Sequence, residues 1–180
     1  AIRRVTGAID PRLYKLVQFA APSDEELAHH YLWRFWRKLQ RDGRTTLFDR
    51  SWYGRVMVER VENYAAEEEW ARAYEEINEF ESELTAHGSI VAKFFLHISQ
   101  DEQLKRFKAR EATPHKRYKI TGDDWRNREK WPQYEDAINQ MITQTNKATA
   151  PWHVVPGNDK LYARVNIIKT LCETLEQALH

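Results

Sequence analysis

An acid and two arginines lie within seven residues of each other in the segment TTLFDRSWYGR, residues 45–55. Residues 44–48 have the β-branched and apolar composition of a short buried strand, and Asp49 follows directly. Ligands of open parallel sheets bind at the carboxyl ends of the strands. A carboxylate at that rim suits Mg²⁺, which prefers one or two carboxylates together with water and phosphate oxygens. Arg50 and Arg55 can add planar, permanently charged groups that match phosphate geometry.

This mixture of groups fits phosphoryl transfer, because that catalysis is mostly positioning and neutralisation of oxygen charge. The same segment also fits a buried Asp–Arg ion pair that only orders a turn. Glu59 lies ten residues after Asp49 and could be a second carboxylate near the metal, although other acids surround it. The histidines show no metal-ligand spacing, and His97, within an apolar run, is predicted to be a core residue.

A second group of charged residues lies in residues 111–148, which we predict to be a lid inserted between the third and fourth strands. The bases of this segment are His115, Lys116, Arg117, Lys119, Arg126, Arg128, Lys130 and Lys147. A closing lid would bring such cations onto a phosphate chain and expel water. The same residues fit a nucleic-acid patch or a soluble hairpin. Trp125 and Trp131 fit either core anchors of the lid or stacking platforms.

The composition is that of one folded domain of 180 residues, with 42% hydrophobic and 31% charged residues. The net charge is only +1, but residues 59–83 carry −8 and residues 103–130 carry +6. This contrast favours local binding of an anion over general attraction to nucleic acid, or else two solvated helix faces. The single cysteine, Cys172, is predicted to face a helix core. Its lack of a partner favours a cytoplasmic, reducing compartment.

Strand and helix patterns alternate along the chain, which predicts a doubly wound α/β fold with a parallel sheet. The predicted strands are residues 14–20, 44–48, 89–98 and 152–157. The predicted helices cover residues 24–42, 67–86 and 99–110, and a last helix begins after a cap at Asn158. Ser23 and Ser99 each precede a glutamate by three residues and predict capping boxes. One apolar face of the last helix comprises Leu161, Val165, Ile168, Leu171, Leu175 and Leu179.

Four stretches, LFDRSWYGRVMVERVE, HKRYKIT, DDW…R…KW…Y and PWHVVPGNDKLYAR, together resemble the polyphosphate kinase 2 family over nearly all of the 180 residues. The resemblance implies a P-loop kinase-like, three-layer α/β/α fold with a helical lid. It also implies an enzyme that moves a phosphoryl group between inorganic polyphosphate and a nucleotide, with magnesium. The tract AAPSDEELAHHYLWRFW looks most like members that phosphorylate AMP to ADP, with ADP to ATP as a further possibility.

The resemblance also implies roles for individual residues. Asp49 would be the acid of a Walker B-like segment that serves magnesium and orients the acceptor, and Glu59 would lie near the metal. Arg50 and Arg55 would hold phosphates. The remaining cations of the phosphate path would be Arg3, Arg4, Arg12, Lys116, Arg117 and Lys119.

The family's Gly-rich phosphate-binding loop is expected immediately before Ala1. We therefore predict a single domain over residues 1–180 that lacks its first strand and this loop, and that is inactive as a fragment. Two other functions fit the residues: an ATP-dependent nucleoside monophosphate kinase, and a polyanion-binding domain without catalysis. We expect no membrane or nucleic-acid partner, and homo-oligomers are possible.

Overall fold

The computed structural model describes residues 1–179, in which short strands alternate with helices. The strands are β1 (Tyr14–Gln18), β2 (Thr45–Asp49), β3 (Lys93–His97) and β4 (Trp152–Pro156). The helices are α1 (Ile2–Thr6), α2 (Asp24–Leu27), α3 (Trp33–Trp36), α4 (Val58–Val61), α5 (Glu67–Ala86), α6 (Gln100–Glu111), α7 (Gly122–Glu129), α8 (Trp131–Thr145) and α9 (Lys160–Leu179). Short 3-10 helices cover Trp52–Gly54 and Pro114–Lys119.

The strands pair in parallel, β1 with β2 and β3 with β4. Gln18 lies opposite Asp49 at the carboxyl ends of the first pair, and Lys93 lies opposite Trp152 at the start of the second. The predicted α/β class and parallel pairing are confirmed. Within residues 1–179 the strand hydrogen bonds form two separate two-stranded sheets, and not one continuous sheet.

Two apolar clusters cover opposite faces of these strands. The larger is built from Leu32, Phe35, Trp52, Tyr53, Val56, Ala73, Tyr74, Ile77, Phe80, Leu84 and Met141. The smaller is built from Val5, Val155, Ala163 and Ile167. Phe48 and Phe95 pack on the larger cluster, whereas Leu47 and Phe94 pack on the smaller one. Because successive side chains of a strand point to opposite faces, both sheets lie between helices in a three-layer arrangement.

The predicted helix over residues 24–42 was wrong as a continuous element. The capping box of Ser23 and Glu26 is present, but the helix that it opens ends at Leu27, and a second short helix begins at Trp33. The intervening turn places the Tyr31 ring 4.5 Å from the Arg55 guanidinium carbon. A tertiary contact therefore overrides the helical periodicity of this tract.

The predicted cap of the last helix was also wrong. Asp159 Oδ1 accepts hydrogen bonds from the backbone N–H groups of Leu161 and Tyr162, at 2.7 and 3.1 Å, so Asp159 is the capping side chain. Asn158 instead accepts a hydrogen bond from the backbone N–H of Ser99 at 3.0 Å. The structure thus uses Asn158 to tie the start of α6 to the loop that follows β4.

The buried side of α9 differs from the predicted apolar face. Ala163 and Ile167 make the buried contacts, while Leu161 and Val165 remain 69% and 66% exposed. The predictions for two other residues were wrong too, since His97 and Cys172 are both exposed. Within residues 1–179, no helix combines the length and apolar character required to cross a membrane.

Candidate active site

Asp49 lies at the carboxyl end of β2, as predicted, although it is the last residue of the strand and not the residue after it. Its side chain is half-buried. Its Oδ2 accepts a hydrogen bond from the side-chain amide of Gln18 at 3.1 Å. Among the ion pairs of residues 1–179, Arg55 pairs with glutamates and no lysine or arginine pairs with Asp49. The alternative of a buried Asp–Arg pair is therefore not supported, and the carboxylate is available to bind a cation.

Arg50 begins the turn that follows the strand. Its φ of 65° lies in the left-handed region, which is uncommon for residues other than glycine. Ser51 returns to an extended conformation, and the 3-10 helix begins at Trp52. The Arg50 side chain is exposed beside Asp49. Backbone strain of this kind is concentrated at functional sites.

Arg55 is held in place more tightly than the sequence indicated. Its side chain is 15% exposed, with Nε 3.2 Å from Glu59 Oε2 and Nη1 3.9 Å from Glu69 Oε1. Its guanidinium also lies over the Tyr31 ring. These contacts leave Arg55 at the edge of the site with part of its charge already neutralised.

Glu59 lies in this same group of charges. Burial raises the pKa of Glu59, while the neighbouring Arg55 and Arg34 oppose that shift. No cluster of three or more His, Cys, Asp or Glu side chains suited to a metal ion occurs within residues 1–179. In the structure Glu59 forms an ion pair with Arg55. The metal-binding role of Glu59 stays a prediction.

Arg34 is a residue near this site that sequence reasoning missed. Its Nη2 lies 3.1 Å from Glu26 Oε2, and its guanidinium lies 4.7 Å from the centre of the Phe19 ring. The side chain is only 13% exposed. The signal in the sequence was a lone arginine within the aromatic tract YLWRFW.

A buried ion pair behind the site was also missed. Lys93 Nζ lies 2.7 Å from Glu81 Oε2, and both side chains are almost fully buried. Glu81 belongs to the acidic block that looked like a solvated helix face. Its spacing from Ile77 and Leu84 on the buried side of α5 was the signal that could have revealed that Glu81 is buried.

The arginines near the amino terminus lie on the surface. Arg3 and Arg4 are exposed on the short helix α1. Arg12 pairs with Asp10, with Nη2 2.7 Å from Oδ2, and its backbone carbonyl accepts a hydrogen bond from Arg44. The roles of these arginines in a phosphate path stay predictions.

Six of the eight bases of residues 111–148 fall into two structural groups. Lys116, Arg117 and Lys119 are exposed on the 3-10 helix Pro114–Lys119, and Arg117 Nε donates to the carbonyl oxygen of Glu111 at 2.8 Å. The second group, Arg126, Arg128 and Lys130, anchors α7 to its neighbours. All three cations of the first group are exposed, as the predicted lid requires, whereas in the second group Arg126 is exposed and Arg128 and Lys130 are half-buried.

Glu62 is the main anchor for α7. Its Oε2 lies 2.9 Å from Lys130 Nζ and 3.3 Å from Arg126 Nε, and Oε1 accepts a hydrogen bond from Tyr134 at 3.2 Å. Burial works to raise the pKa of Glu62, but the hydrogen bonds from Lys130 and Tyr134 outweigh it, so the pKa lies below its usual value. Trp125 adds an apolar contact, with its ring 5.2 Å from that of Phe107 on α6.

An α/β scaffold with an acid at a strand end, an arginine-bearing turn and a helical cationic insertion is an arrangement that suits phosphoryl transfer. The family described as Polyphosphate kinase 2 (PPK2) matches residues 1–180, and the chain belongs to this family. A polyphosphate kinase 2 from Arthrobacter aurescens, known from a crystal structure, is similar with a TM-score of 0.94 and 41% identity, covering 98% of this chain and 62% of that one.

Curated relatives agree with this assignment. A "Polyphosphate:AMP phosphotransferase" of Pseudomonas syringae pv. tomato is 54% identical over 178 residues, which cover 99% of this chain and 36% of the relative. An "AMP/ADP-polyphosphate phosphotransferase" of Meiothermus ruber is 38% identical over 97% of this chain and 66% of the relative. The chain thus spans little more than a third of the length of the first of these relatives.

Proposed function

We propose that this domain carries the phosphoryl-transfer site of an enzyme that converts polyphosphate and AMP to a shortened polyphosphate and ADP, with transfer to ADP as a further activity. The observation that carries the proposal is Asp49, a half-buried carboxylate without a basic partner in residues 1–179, at the carboxyl end of β2. The names of the similar proteins support polyphosphate and AMP or ADP as the substrates.

In the proposed reaction, an oxygen of the AMP phosphate forms a bond to the terminal phosphorus of polyphosphate. The bond from that phosphorus to its bridging oxygen breaks, and the shortened chain leaves with the electron pair. Asp49 orients the acceptor, and Arg50 and Arg55 neutralise the oxygens of the transferred group. The exposed Arg50 reaches the substrate directly, whereas Arg55 is oriented by Glu59.

Magnesium is the proposed cofactor. Asp49 fits it, because a hard carboxylate oxygen with one orienting hydrogen bond suits a cation that keeps waters and phosphate oxygens as its other ligands. Glu59 would lie nearby. When bound, the ion neutralises negative charge on the phosphate oxygens.

Residues 111–148 are the proposed lid of a single domain that spans residues 1–180. Lys116, Arg117 and Lys119 would contact the polyphosphate chain, and the exposed Arg3, Arg4 and Arg12 would extend the same path. A string of cations suits a long polyanion better than a single nucleotide. We further propose a cytoplasmic enzyme without membrane or nucleic-acid partners, able to form homo-oligomers.

The choice of phosphoryl donor tests this function. The protein at its full native length is incubated with AMP and magnesium, with either polyphosphate or ATP as donor, and ADP formation is followed by chromatography. We expect ADP from AMP with polyphosphate as donor. Turnover with ATP alone would identify an ATP-dependent monophosphate kinase, and salt-sensitive polyphosphate binding without turnover would identify a polyanion-binding domain.

A further inference from the structure

The buried Lys93 ammonium connects three parts of the fold. Its Nζ donates hydrogen bonds to Glu81 Oε2 at 2.7 Å, to Tyr53 Oη at 2.9 Å and to the backbone carbonyl of Thr145 at 2.7 Å. These acceptors lie on α5, on the 3-10 helix after β2, and at the last residue of α8. An ammonium has three N–H donors, so this set of acceptors uses all of them.

The other oxygen of Glu81 binds the turn that follows Asp49. Its Oε1 accepts hydrogen bonds from Trp52 Nε1 at 3.0 Å and from Tyr53 Oη at 2.6 Å. Trp52 and Tyr53 lie between Arg50 and Arg55 in the chain. One carboxylate oxygen therefore fixes both aromatic residues of the segment that carries the two arginines.

Stability alone does not account for a charge pair at this depth. The Lys93 and Glu81 side chains are 4% and 2% exposed. Burial lowers the pKa of Lys93, and the Glu81 carboxylate opposes that shift. Desolvation of two charges is costly, and apolar residues of similar volume often stabilise a core equally well. A role for the pair in fixing geometry explains why polar groups occupy this position.

We propose that the Lys93–Glu81 pair is a positioning device. It fixes the arginine-bearing turn, residues 50–55, relative to the carboxyl end of α8, which is the base of the proposed lid. Trp52 and Tyr53 are its contacts with the turn. The carbonyl of Thr145 is its contact with α8, the helix by which the lid returns to the core. The ammonium also lies favourably at the carboxyl end of that helix. This inference rests on the proposed function, since it assigns a role to the pair in the same reaction.

The variant Tyr53→Phe tests the device, because it removes the hydroxyl that joins the pair to the turn and keeps the ring. The matched control is Tyr74→Phe on α5, which removes another buried tyrosine hydroxyl, one that accepts a hydrogen bond from Arg60 at 2.9 Å. At full native length, we expect Tyr53→Phe to lower kcat about tenfold with little change in KM, because misplaced groups mainly lose transition-state contacts. Tyr74→Phe should retain kcat at a comparable loss of stability.

Hydrogen–deuterium exchange provides a readout that does not require turnover. Tyr53→Phe should accelerate exchange in peptides covering residues 50–57 and 143–147, and Tyr74→Phe should not. If wild type has no polyphosphate-dependent activity, the proposed function fails while the exchange result still tests the coupling. Equal kcat losses in the two variants, or unchanged exchange in both segments, would overturn the positioning role. Should Tyr53→Phe fail to fold, Trp52→Phe removes the other donor to the same oxygen and is judged by the same criteria.

Discussion

Gln18 and Asp49 are register partners at the carboxyl ends of β1 and β2, and the Gln18 amide donates to the Asp49 carboxylate at 3.1 Å. This hydrogen bond orients the acid without neutralising it. We expect Gln18→Leu to lower kcat at least about tenfold, because a hydrogen bond to an ionised carboxylate contributes about 1.5–3 kcal/mol. Steady-state kinetics with AMP and polyphosphate would measure the effect. An unchanged kcat would show that Asp49 does not depend on this contact.

Removal of one member of the buried pair should be strongly destabilising. Lys93→Met leaves the buried Glu81 carboxylate without its cation, and Glu81→Gln leaves the Lys93 ammonium without its anion. Either change alone should lower the free energy of unfolding by about 3–5 kcal/mol. The double variant Lys93→Met with Glu81→Gln should lose less than the sum of the two single changes. Urea denaturation of all four proteins completes this double-mutant cycle. Additive losses would contradict a direct interaction between the two side chains.

The lowered pKa of Glu62 predicts a pH dependence of stability. A carboxyl whose pKa lies below its usual value of 4.5 when folded contributes fully above that pH, and its contribution is lost as the pH falls through the folded pKa. Glu62→Gln should therefore cost about 2 kcal/mol at neutral pH, since hydrogen bonds to a charged group are lost. The difference from wild type should shrink below the usual pKa. A difference that is independent of pH in urea denaturation would contradict this assignment.

The exposed cations of the lid should act on polyphosphate affinity. Neutralising Lys116, Arg117 and Lys119 to Ala should raise KM for polyphosphate about tenfold and flatten its dependence on salt, because fewer counterions are released on binding. The matched control replaces three exposed cations outside the basic block of residues 103–130: Lys15, Arg41 and Lys169. Kinetics at several salt concentrations distinguish the two. Similar KM values for polyphosphate in both triple variants would show that the lid cations do not bind this substrate.

The parts of the fold governed by local chemistry could be predicted from the sequence. The strand ending at Asp49 and the helix Glu67–Ala86 follow from apolar composition and helix-terminal residues. The break between Leu27 and Trp33 could not be predicted, because it depends on a contact between Tyr31 and a distant arginine. Nor could spacing reveal that Lys93 within an apolar run finds Glu81 as its partner. Periodicity places a residue on a face but does not identify what lies opposite.

Asp49→Asn tests the central claim most directly. Asparagine keeps the shape of the side chain and removes its charge, so folding and polyphosphate binding should be retained. We predict that kcat for ADP formation from AMP and polyphosphate falls at least about a thousandfold, with polyphosphate still bound in a fluorescence titration. Full turnover by the Asp49→Asn variant would contradict the account.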